Sequence, residues 1–138
     1  MIITRRSAFL AALVLASCGP AANEDAAAIE ALMRATWDRP DAPLDIGPIA
    51  ISSEHAVAGW TQGEMGGRAL LTKHEGQWRV LLCAGDGIRS ADGLISVGVP
   101  ETQAHALATR LAEQEQRANP QRLAAMSRFE GVVRMDGH

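Results

Sequence analysis

The sequence predicts one α+β domain, a four-stranded antiparallel meander with an N-terminal helix and C-terminal helices packed on one face. Three observations lead there. Apolar residues recur every three or four positions from Ile29 to Trp37, every second position from Ile49 to Ala84, and every three or four again from Ala104 onward. Turn-forming residues divide the middle region near Ser53 and Glu54, near Gly63 to Gly66, and at Glu75 and Gly76. Length allows a single core: with residues 1–17 set aside as a leader, 121 of the 138 residues remain. Residues 18–23 read as a tether and 24–138 as the domain.

In the first helix Ile29, Leu32, Met33, Thr36 and Trp37 share one face. Asn23 is its N-cap candidate, Pro40 stops the pattern, and Met33 is assigned to the core. The stretch from Arg39 to Pro48, with three prolines, reads as an extended linker. Four strands follow, and their register can be checked against itself. Centring the turns sets Ile51 beside Ala56, Ala56 beside Lys73 and Lys73 beside Trp78. The next row is Ile49, Ala58, Leu71 and Val80, and the next Trp60, Ala69 and Leu82. Nearly every member is apolar, and a one-residue slip would turn all of them to the opposite face. The other face, with His55, Val57, Gly59, Arg68, Leu70, Arg79, Leu81 and Cys83, is mixed and is expected to line a shallow pocket or to meet water.

Beyond the sheet, Ser90 and Asp92 open a short helix ending at Gly98. Pro100 suits the first turn of a longer one whose stripe is Ala104, Leu107, Ala108 and Leu111, with His105 off the stripe and solvated. Asn119 and Pro120 restart a helix as cap and first residue, burying Leu123, Met126 and Phe129. The end, "FEGVVRMDGH", reads as an edge strand or a loose tail. Helix, meander, helices is also the order of the small cystatin and nuclear-transport-factor folds, an architectural analogy that licenses no function.

The leader has three parts: a positive start at Arg5 and Arg6, an apolar stretch from Ala8 to Ala16, and small residues before Cys18. The apolar run is roughly half the 20 residues a membrane-crossing helix needs, so it reads as a signal peptide rather than a span. Leu15, Ala16, Ser17 and Cys18 stand in the order of a bacterial lipobox, in which the cysteine takes diacylglycerol and becomes the acylated, palmitate-bearing N-terminus; the alternative is ordinary cleavage near Ala21 or Ala22. Lipidated, the chain is exported and membrane-anchored, facing the periplasm. Arg5 and Arg6 suit twin-arginine or ordinary export alike. A lipidated Cys18 cannot pair with Cys83, the one other cysteine, which is then an odd thiol in an oxidising compartment.

The chain carries 13 basic and 16 acidic residues; without Arg5 and Arg6 the balance is 11 against 16, net near −5. No basic patch or aromatic run supports nucleic-acid binding. There is no CxxC, HExxH, phosphate-binding glycine loop or nucleophile-elbow serine, so the chain reads as a protein other than an enzyme. The informative residues are soft donors. The register sets Cys83 opposite Arg68, which puts Met65 of the "GEMGG" turn at the same end of the sheet. His74 lies about six residues along its strand from the Cys83 end, roughly 20 Å at the strand rise, and cannot share a site with Cys83; His55 falls directly across from His74. Thiolate and thioether favour Cu(I), whereas paired imidazoles suit Cu(II), zinc or nickel equally. Met135 and His138 add a soft and a borderline donor from the tail. The candidate metal set is therefore Met65, Cys83, Met135 and His138, with His55 and His74 as a second cluster. The competing assignments are plain: Met65 fills an apolar gap, Cys83 is a small buried hydrophobe, and the histidines are surface residues.

The stretches "DAPLDIGPIAI", "AVAGWTQGEMGGRALL", "WRVLLCAGDGI" and "FEGVVRMDGH" resemble small exported alphaproteobacterial proteins described as copper uptake system-associated proteins. The resemblance runs from about Ile29 to His138, with Trp60 to Asp86 its most specific part. It implies association with copper acquisition and supplies no ligand set. The expected function is thus a periplasm-facing lipoprotein accessory to copper uptake that binds or hands over Cu(I), copper being its cargo and a copper transporter or outer-membrane receptor its partner. The alternative, from another class, is a lipid-anchored interaction adaptor with no metal of its own. A third reading, a small-molecule site, needs an apolar concavity around Val57, Leu70 and Leu81.

Overall fold

The computed structural model describes residues 20–136. Its elements are α1 (Pro20–Trp37), β1 (Leu44–Ser52), β2 (His55–Gln62), β3 (Met65–His74), β4 (Gln77–Ala84), a 3₁₀ turn at Asp86–Ile88, α2 (Ala91–Ser96), α3 (Glu101–Glu115), α4 (Pro120–Ser127) and β5 (Val132–Arg134). The class is α+β. The strands form one antiparallel sheet in sequence order, with β5 added to the expected four as an edge strand from the C-terminal stretch. Cys18 and His138, together with the leader, lie outside the described residues.

Two of the helices start at side-chain caps. Ser90 accepts from the Gly93 amide and Asn119 from the Gln121 amide, each capping the helix that follows. Pro100 immediately precedes α3. In α1 Asn23 is not a cap, because the chain is already helical at Pro20, the first described residue, and the expected tether is helical over residues 20–23. The expected linker likewise ends early, because β1 starts at Leu44. Its ladder breaks between Ile46 and Ile49, where Pro48 has no N–H to give.

Two register corrections position everything else. The β2–β3 turn closes over two residues, Gly63 and Glu64, with Gln62 opposite Met65, so Ala56 faces Leu71 rather than Lys73. Gly63 supplies the positive φ of 61° that this tight turn requires. Gly66 and Gly67, expected in the turn, belong to the strand instead. A Cβ on Gly66 would stand 2.7 Å from the Ala125 backbone, so α4 lies directly on the sheet there. The shift is two residues, and the faces survive it. The second correction does change faces. The β3–β4 ladder follows the expected pairs Lys73 with Trp78 and Leu71 with Val80, then slips by one at Leu70, which pairs with Leu82. Leu81 is the extra residue of a β-bulge, and beyond it Cys83 faces Ala69, not Arg68.

The helices cover both faces, not one. On the first, α1 lays Ile29 and Met33 over a shallow floor of Ala56, Ala58, Ala69 and Leu71, with Trp60 and Trp78 as flanks. Small side chains let the helix approach, and Asp25 pins it by accepting from Lys73 Nζ at 2.9 Å and Trp78 Nε1 at 3.0 Å. The Lys73 hydrogen bond holds the Asp25 carboxyl below its ordinary pKa against the effect of burial. The second face, expected to be mixed and wet, is core: Val57, Leu70 and Leu82 are sealed beneath Leu94, Leu107 and Leu111 of α2 and α3. The proposed concavity at Val57, Leu70 and Leu81 is therefore filled. Arg68 is tolerated there because Glu115 at the end of α3 accepts from its Nε at 2.8 Å and its Nη2 at 2.9 Å. Outer carbonyls of β1 are capped from the helices, Ile49 by Gln114 and Gly47 by Arg122, which blunts that edge.

Candidate functional site

A cavity of about 260 Å³ opens between the C-terminal half of α1, the β2–β3 end of the sheet and the segment from Phe129 to Met135. Its wall is built from distant parts of the chain. Met33 and Trp37 come from α1, Trp60 from β2, Met65 from the start of β3, Cys83 from β4, and Val133 and Met135 from the C-terminal end. The bulge at Leu81 places Cys83 here. In an uninterrupted ladder its side chain would point under α3, whereas the one-residue slip turns it to the α1 face, beside Ala69 and opposite Val133.

The environment is apolar. Gln62 is a polar wall residue, and its amide N–H groups are spent on the Trp37 and Ala42 carbonyls at 2.7 Å each. Cys83 is 4% exposed and makes no disulfide among the described residues. Burial pushes its thiol from 9.0 up to about 11, and the buried Trp60 indole N–H, directed at the Cys83 sulfur, draws it the other way.

Three of the candidate ligands thus meet at one cavity: Met65, Cys83 and Met135. They do not start as close neighbours. Met65 stands four residues along β3 from Ala69, the partner of Cys83, roughly 13 Å at the strand rise. Met65 is 65% exposed and forms the rim, while Cys83 lies within. Met135 is fixed on the β4 side by its amide, which donates to the Leu81 carbonyl at 2.8 Å. Met33, which periodicity assigned only to the core, is both core and wall. Nothing in the sequence distinguishes those two roles, because they differ only in what stands opposite.

The histidine cluster is not assembled as expected. His55 faces Thr72 and shares a 2.6 Å hydrogen bond with Gln103 of α3, while His74 faces Gln77 and lies 3.8 Å from Glu75. The two-residue turn shift separates them. Among the described residues, no group of three or more His, Cys, Asp or Glu side chains is arranged to hold a metal ion. No helix among them is long and apolar enough to cross a membrane.

Gly67 sets the shape of the wall. A Cβ there would stand 2.9 Å from both Phe129 Cδ2 and Trp60 Cζ2. Gly67→Ala is expected to lower stability by about 1–3 kcal/mol through overpacking, read as a lower urea midpoint at unchanged slope. A midpoint equal to wild type would show that these rings are free to move. No family model, curated protein or solved structure matches this chain.

Proposed function

We propose that the chain is an exported, lipid-anchored accessory of copper uptake that takes Cu(I) at the cavity of Met65, Cys83 and Met135 and passes it to a copper transporter or outer-membrane receptor. The observation that carries this reading is the convergence of four sulfur side chains, counting Met33, on one apolar cavity from four separate parts of the fold. Thiol and thioether are soft donors that suit Cu(I) over calcium and magnesium, and Met65, about 13 Å along the sheet from the partner of Cys83, acts from the rim rather than within one coordination sphere. The exposed thioether at the rim suits first capture, and the buried thiol suits retention in a place that water reaches poorly. The resemblance to copper uptake system-associated proteins supports the cargo, and the lipobox at Cys18 supports the anchor.

The test is competition for Cu(I) between the reduced protein and a chromogenic chelator. One equivalent is expected to bind, and Cys83→Ser to weaken binding about 100-fold, or about 2.7 kcal/mol. No uptake by wild type, with Cys83→Ser unchanged, would replace this reading by that of a metal-free adaptor. The observation on that side is the exposed apolar set of Met65, Val132 and Val133.

A further inference from the structure

We propose that the cavity between α1 and the sheet is a binding site for a single alkyl chain of about ten carbons, carried by an amphiphile whose polar head stays in water at the Met65 rim. Such a guest uses the shape and the apolar wall of the cavity and nothing of its thiol chemistry, so the site is independent of Cu(I). The wall is hydrocarbon, aromatic ring and thioether, from Met33, Trp37, Trp60, Met65, Phe129 and Met135 among others. Its N–H groups are already in use: the Gln62 amide donates to the Trp37 and Ala42 carbonyls, and the Trp60 indole is directed at the Cys83 sulfur. A hydroxyl or charged group brought inside would lose its water and gain no donor, a cost that apolar contact does not repay. The enclosed part of a guest is therefore hydrocarbon.

Size and shape narrow the class. An apolar cavity of about 150 Å³ takes a six-carbon ring, so about 260 Å³ takes roughly ten carbons. The cavity reaches from the row of Gln62 and Met65 to the row of Ala69 and Cys83, four residues along β3, or roughly 13 Å. Spread over that length, the volume leaves a section of about 20 Å², the width of one extended hydrocarbon chain. The wall both holds and adapts. Phe129 meets the Trp60 ring edge-on, with centroids 6.0 Å apart and planes at 81°, and the bare Gly67 lets both rings lie back against the sheet. Met33, Met65 and Met135 are unbranched and polarizable, so they close on a chain whatever its local bend. Met65, 65% exposed, marks the mouth where a head group meets water.

Alkanoates from hexanoate to tetradecanoate, with 1-decanol beside them, provide the probes, all kept below micelle formation. The full chain, ¹³C-labelled at its methionine methyls, is titrated with each. Affinity is expected to rise about fourfold per added methylene up to about ten carbons and then to level off. Decanol is expected to match decanoate, because the head stays outside. The methyl resonances of Met33, Met65 and Met135 are expected to shift, and that of Met126, buried on the opposite face against Gly59, to stay in place. Val133→Trp, which fills the space from the exposed edge strand, is expected to weaken decanoate about tenfold, the loss of roughly two buried methylenes. No saturable shift, a shift that includes Met126, or binding of decanoate without decanol overturns the proposal. Affinity that climbs steadily to tetradecanoate also overturns it, as adsorption to open surface. Should Val133→Trp fail to fold, the length series and the Met126 resonance decide alone. Alkyl binding by protein that takes no Cu(I) removes the copper reading and leaves this one, and the converse removes this one alone.

Discussion

Glu115→Ala is expected to destabilise the fold by about 3–5 kcal/mol, because it leaves Arg68, with none of its surface exposed, without the carboxylate that receives two of its N–H groups. Asp86 stays within 3.0 Å of the guanidinium, but its side chain is half-exposed and it touches one nitrogen. Burial alone would raise the Asp86 pKa; the Ser127 hydroxyl and Arg68 outweigh it and keep the carboxyl ionised. Replacing both partners at once, Arg68→Met with Glu115→Leu, is expected to return most of the loss, since an apolar pair of similar volume removes two buried charges together. Urea unfolding of the two variants beside wild type measures this. A single variant as stable as wild type, or a double variant no better than the single, would show that the pair does not hold α3 to the sheet.

Alkaline pH should reveal the buried thiol. Cys83 keeps its proton in the folded chain up to about pH 11, whereas the unfolded chain begins to lose it near 9.0. Above pH 9 the unfolded state therefore binds fewer protons than the folded one, and stability falls as pH rises. The contribution is intact below pH 9 and is lost by pH 11, a change of about 2–3 kcal/mol at about 1.4 kcal/mol per unit. Alkaline pH acts on the rest of the chain as well, so the comparison is with Cys83→Ala, whose stability is expected to fall less steeply from pH 9 to 11. Parallel curves for the two proteins would mean that the thiol is solvated in the native state.

The candidate site was partly legible in advance, by an instructive route. The sequence places Met65 and Cys83 at one end of the sheet, and both line one cavity there with Met135, but it puts Cys83 on the wrong face. Alternation of apolar residues cannot reveal the bulge, because Leu70, Leu71, Val80, Leu81 and Leu82 are apolar on both sides of it, and either register buries them. The two-residue error at Gly63 to Gly66 had a similar source. Glycines at both ends of the stretch from Gly63 to Gly67 do not say which residues make the turn, and Gly66 and Gly67 serve the close approach of Ala125 and of the Trp60 and Phe129 rings. The histidine pair dissolved through that same error. Spacing marks Trp60 as a core residue, while its place beside the Cys83 thiol depends on which atoms lie around it and has no trace in sequence spacing.

What the sequence by itself determined was the order and type of the elements: periodicities of 3.6 and 2, the caps Ser90 and Asn119, and the hairpin at Glu75 and Gly76 are written in neighbouring residues, and local backbone preferences act on neighbours. What only the tertiary structure decided was which face each strand presents past its bulge, which helices lie on which side, and therefore which side chains share a cavity. Those outcomes depend on competition between whole apolar surfaces for burial. Both faces of this sheet are apolar enough to accept a helix, so only the packed chain selects between them.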